Sequence, residues 1–141
     1  MKPPLALALA MALPACAGPE TGPSVPGGGV IPLEPRLASI SAVILVPRCA
    51  SSACHGGTGG VPIDLTTPEA ARAGMVNAPS TQTDEFLVVT PFDPDRSYLM
   101  LRLRGLQAGA DTMPPSWGGE PLAEEEIAAI SDWIANGALD D

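Results

Sequence analysis

Cys49-Ala50-Ser51-Ser52-Ala53-Cys54-His55 decides how this chain is read, because it sets two thiols beside the only imidazole in the sequence. The residues between the cysteines are small, so a tight turn there meets little steric obstruction. Just upstream, Leu37, Ile40, Val43 and Ile44 recur at helical spacing. That pattern predicts a short amphipathic helix over 36–46, which Pro47 stops by removing a donor and crowding the preceding turn. Downstream, Gly56-Gly57-Thr58-Gly59-Gly60 can only be loop. The thiols and the imidazole are therefore expected on a turn that leaves a helix.

Working outward to the beginning, residues 1–15 carry one positive charge, Lys2, followed by an apolar run that ends in Leu13-Pro14-Ala15-Cys16. This is the pattern of a lipoprotein-type signal, with cleavage before Cys16 and acylation of that cysteine. The apolar run is shorter than the ~20 residues that span a bilayer core. Residues 16–35, including Gly27-Gly28-Gly29, are rich in Gly and Pro and read as a tether. The folded domain is then residues 36–141. The expected location is the periplasmic side of the cell envelope, with the exported chain lipid-anchored to a membrane through Cys16. Without Lys2, six arginines face sixteen acids, a net charge near −10. Nucleic acid is disfavoured as a partner, since phosphates require a basic footprint. An acidic surface suits brief docking with a partner protein that bears a basic patch.

The domain holds only five aromatic residues, Phe86, Phe92, Tyr98, Trp117 and Trp133, so its core is marginal unless something else fills it. Thr67-Pro68-Glu69 combines an N-cap with proline at the first helical position, predicting a brief helix to about Ala73 that stops near Gly74. Phe86-Leu87-Val88-Val89 is an isolated extended piece. Asp93-Pro94-Asp95 repeats the capping chemistry for a third helix, which runs to about Arg104 before Gly105. Residues 105–121, with Met113-Pro114-Pro115, form an irregular loop. Glu124-Glu125-Glu126 places acids at the positive end of a last helix with Ile127, Ile130 and Ile134 on its inner face and Gly137 closing it. Ala123 stands where a Ser or Thr cap is expected. The fold class is all-α: about four short helices joined by long loops.

With Cys16 given to lipid, Cys49 and Cys54 form a pair in an oxidising compartment, and His55 follows directly. Two thioethers from such cysteines to a porphyrin edge, with iron ligated by the adjoining histidine, are how c-type haem is held. The gap of four residues instead of the usual two requires a looser turn. On these residues, on Met113-Pro114-Pro115, and on the closing helix through Trp133, Ile134, Gly137 and Ala138, the chain resembles class I cytochrome c domains. The likeness is greatest to the planctomycete-type domains of exported lipoproteins, and it covers about residues 37–138. The resemblance implies one covalent haem c per chain, a final helix crossing the first, and an axial ligand from the Met-Pro-Pro loop.

Elimination bounds that ligand independently. His55 is the only histidine and the processed chain has no lysine, which leaves Met75, Met100 and Met113. Met100 lies in an apolar helix and reads as core. Nothing near Met75 supports ligation. Met113 sits on a proline-stiffened loop and is the favoured sixth ligand, with five-coordinate iron as the alternative. With both axial positions filled, the expected function is electron transfer, not catalysis, whether alone or as an oxidoreductase subunit. Glu124–Glu126 reads as a solvated helix start. Arg48 and Trp117 are candidate donors to a haem propionate, and Trp133 is expected between the first and last helices and against the porphyrin. The rival reading is a haem-free interaction module with a Cys49–Cys54 disulfide. A zinc or copper site on the two thiolates and His55 would want a fourth ligand of the same kind, which the chain does not offer.

Overall fold

The computed structural model describes residues 31–58 and 61–141; the signal over 1–15, Cys16 and the tether as far as residue 30 lie outside the described residues. Helix α1, Leu37–Ile40, continues without a break into a π-helical segment, Ser41–Cys49. The expected stop at Pro47 is therefore corrected: the helix passes through the proline and delivers Cys49 at its last position. Proline is tolerated because the turn widens. The Ala50 amide bonds the Leu45 carbonyl, five residues back, at 2.9 Å, so the ladder does not depend on the donor that Pro47 lacks. Leu37, Ile40, Ile44 and Leu45 form the buried stripe. The free amides at the start of α1 are met from the far end of the chain, Ala38 N–H donating to the Asp141 main-chain oxygen at 3.0 Å.

Helix α2 spans Pro68–Met75 and starts as expected, with Thr67 Oγ1 accepting from Ala70 N–H at 3.2 Å. It ends at Met75, one residue beyond Gly74. A β-carbon there would stand 3.2 Å from Ile63 Cγ2, so the glycine lets α2 close against the segment that follows the cysteine turn.

The third helix is interrupted. A 3₁₀ turn, Pro94–Arg96, is separated from α3, Tyr98–Leu103, by extended Ser97. Ser97 Oγ donates to the Asp93 carbonyl at 2.9 Å and accepts from Thr90 N–H at 2.9 Å, a local network that competes with helix formation. The Tyr98 and Leu99 amides are drawn to the Leu87 and Val88 carbonyls, both at 2.9 Å. The 86–89 piece is thus extended, as expected, and pairs only through isolated bridges, Val76 with Val89, Pro79 with Leu87, and Leu87 with Ser97.

Helix α4, Glu124–Ala135, solves the missing cap in reverse: the carboxylate of Glu126 reaches back to accept from Ala123 N–H at 2.7 Å. At its other end Gly137, at φ 103°, completes a Schellman pair, with Gly137 N–H on Ile134 O and Ala138 N–H on Trp133 O, both 2.9 Å. The described residues thus form a mostly helical fold without a strand ladder. Helix α1 packs on α2 and α4, and α3 packs on α4. Trp133, Ile134, Leu37, Ile40, Ile44 and Met100 are buried almost completely where these elements meet. Each contributes about 1.5–3 kcal/mol of apolar burial. None of the described helices is long and apolar enough to cross a membrane.

Candidate functional site

The segment after the π-helix folds into a closed turn. His55 N–H donates to the Cys49 carbonyl at 3.1 Å and Cys54 N–H to the Ser51 carbonyl at 2.9 Å. A β-carbon at position 56 would lie 2.7 Å from the Ser51 oxygen, so the close return of the chain requires Gly56. The longer cysteine gap is absorbed by this closed loop. From it the chain runs on to Leu65, whose amide bonds the His55 carbonyl at 2.9 Å.

His55 Nδ1 lies 3.0 Å from the Ile63 carbonyl. A carbonyl only accepts, so Nδ1 carries a proton; in the neutral imidazole Nε2 then holds the lone pair, and among the described residues it has no hydrogen-bond partner. His55 lines a cavity of about 550 Å³, whose walls include Met75, Val88, Tyr98, Leu99 and Met113. The walls are mainly apolar, and the volume is in the range of small-molecule and cofactor sites. Far apart in sequence, His55 and Met113 are brought to one space.

Met113 gets there by an anchored loop. Gly105, at φ 66°, turns the chain away from α3, and at 111–113 the chain returns to the same helix. Met113 N–H donates to the Arg102 carbonyl at 3.0 Å, and Arg102 Nε donates to the Asp111 carbonyl at 2.9 Å. Met75, 2 % exposed, also lines the cavity, whereas Met100, 1 % exposed, is core and does not.

Cys49 and Cys54 are both free, partly buried thiols at the two ends of the turn. Neither is among the residues lining the cavity, although Cys54 adjoins His55 directly. Burial pushes the Cys49 thiol up to about 11; the Arg48 charge opposes this and the neighbouring Cys54 adds to it. Arg48 does not face the cavity. Its guanidinium bonds both carboxylate oxygens of Glu126 and the Glu120 and Pro121 carbonyls, tying the end of the π-helix to the start of α4. Trp117 is 76 % exposed and away from the cavity. Trp133 is buried between the helices, its Nε1 donating to the Leu139 carbonyl at 2.9 Å. It borders a separate shallow groove with Arg36 and Leu139, not the cavity.

Sequence reasoning missed Tyr98 and Arg102 on the cavity wall. Their i, i+4 spacing was the available signal, since such residues share one face of a helix. The Arg102 guanidinium lies 5.8 Å from the Tyr98 ring centroid, a cation–π distance. Among the described residues no three His, Cys, Asp or Glu side chains gather closely enough to hold a metal ion by themselves. The nitrogen and sulfur donors among the cavity's side chains include the His55 imidazole and the thioethers of Met113 and Met75, beside the oxygens of Tyr98, Ser80, Thr81 and Gln82. Comparison with protein-family models, with curated proteins and with solved structures finds no match to this chain.

Proposed function

We propose that this chain is an exported c-type cytochrome lipoprotein, a single-haem electron carrier in which Cys49 and Cys54 bind the porphyrin edge and His55 and Met113 are the axial ligands. One observation carries the reading: His55, with Nε2 free, and Met113 line the same mainly apolar cavity. The donor set and the apolar walls fit an iron porphyrin better than a bare ion, which would want three or four protein ligands. When bound, haem supplies an iron that cycles between ferric and ferrous states.

The chain's own residues do the rest. Ile63 O fixes the His55 tautomer and strengthens the imidazole as a donor. The closed turn holds the two thiols at either end of one short loop beside it. Met113, a neutral sulfur, favours the reduced state, as does the low polarity of Val88 and Leu99. The acidic surface suits a redox partner with a basic patch, and acylated Cys16 holds the protein at the membrane.

The test is expression with haem-attachment machinery, followed by a denaturing gel stained for haem peroxidase activity. Colour that survives denaturation means thioether bonds. A colourless protein whose two thiols are joined to each other is the haem-free interaction module instead. In the loaded protein, Met113→Ala is expected to abolish the weak far-red sulfur-to-iron band of the ferric state; Met75→Ala is expected to keep it. The reverse pattern moves the ligand to Met75.

A further inference from the structure

Arg102 occupies an unusual place at the cavity. Its main-chain oxygen accepts from Met113 N–H at 3.0 Å while its own Nε donates to the Asp111 carbonyl at 2.9 Å. One residue therefore grips the loop at two points on either side of Thr112. A second feature tightens the same closure: a β-carbon at Gly105 would stand 2.8 Å from Thr112 Cγ2, so the loop leaves and rejoins α3 with almost no slack. The guanidinium is itself held, by Nη1 to Tyr98 Oη at 3.4 Å and by the face of the Tyr98 ring. Tyr98 is buried, so this anchor belongs to the core and not to the loop.

Taking the cytochrome reading as its basis, we infer that Arg102 is a positioning residue for the methionine ligand: it lashes the Met113 loop to α3 and so sets how firmly the sulfur is held. The physical argument is one of preorganisation. The loop from Gly105 to Thr112 has no helix or strand of its own, and an untethered loop must order itself each time the sulfur binds. A charge-assisted donor on the Asp111 carbonyl restricts that freedom before ligation. Half of the grip is main chain and survives any substitution, so removing the guanidinium should weaken sulfur binding without abolishing it.

The experiment compares ferric wild type with Arg102→Met, which keeps the apolar stem and loses every donor, and with Arg102→Lys, which keeps the charge but has only one nitrogen to divide between Asp111 and Tyr98. The readouts are the pH at which the far-red sulfur-to-iron band disappears and the melting temperature of each variant. A loss of about tenfold in the ligation equilibrium is expected for Arg102→Met, seen as band loss about one pH unit lower, with Arg102→Lys between the two. A merely structural role lowers the melting temperature and leaves the band midpoint where it is; that result overturns the proposal. Should Arg102→Met fail to fold, the Arg102→Lys midpoint decides: unshifted, the proposal falls. A wild-type protein without covalent haem removes the cytochrome reading and this inference together. A wild type with haem and band, whose variants match it, removes the inference alone.

Discussion

Cys49 is the residue where local chemistry makes the sharpest statement about the protein before any cofactor is attached. Its thiol, ordinarily near 9.0, is held protonated to about 11 by burial. Between those values the unfolded chain releases the proton and the folded chain keeps it. Stability from this group is fully present below 9.0 and is lost as pH rises to about 11. The total loss is on the order of 3 kcal/mol. Urea unfolding of the haem-free protein across that window should show this slope, and Cys49→Ala should flatten it. Equal slopes in the two proteins would mean that the thiol is not buried as described. The cysteines and histidine were legible as a group from their adjacency alone. Arg48 was not: a cation beside a cysteine looks free in a linear string, and only the fold brings Glu126 to it.

At the scale of elements, the sequence rules held where a standard cap starts a helix and failed where local hydrogen bonding took a less common form. Thr67 and Pro68 mark the start of α2 because the cap is made within one turn. Pro47 was read as a stop because proline breaks an α-helix; the wider π turn, with Ala50 bonded to Leu45, is an option that residue preference does not reveal. Ser97 splits the third helix because its hydroxyl accepts from Thr90 N–H while donating to the Asp93 carbonyl, a network that competes with helix formation. For α4, Glu126 serves at once as the reverse cap of Ala123 and as the partner of half-buried Arg48. Glu126→Ala should therefore cost about 1–3 kcal/mol, more than a typical surface carboxylate. Glu125→Ala, on the exposed side of the same turn, should change stability by less than about 0.5 kcal/mol. Paired thermal melts of the two variants check the difference.

The whole molecule was legible in its class: the helical spacing, the caps and the absence of paired strand patterns imply short helices joined by long loops. The sequence favoured Met113 and read Met100 as core; what it did not reveal is that Met75 shares the cavity with Met113 and His55, because all three lie far apart in the chain. The fold separates the methionines, placing Met100 in the core and the other two at the cavity. A cavity of about 550 Å³ in so small a domain leaves part of its mainly apolar wall unfilled. The Cys49→Ser, Cys54→Ser double variant, which has no thiol to bind a porphyrin, should melt at least about 10 °C below the haem-loaded protein and with a broader transition. Indistinguishable melts would show that the helices need no disc between them.

One strut ties the entry to the cysteine turn to the foot of α4. Arg48 fastens the segment leading into the cysteine turn to the stretch linking the Met113 loop with α4. Val61, Pro62, Thr81 and Gln82 line the cavity and face solvent, so they form its open rim. On the cytochrome reading proposed above, that rim is where a bound porphyrin would come nearest the water, and it is the side on which a redox partner would have most to gain by landing.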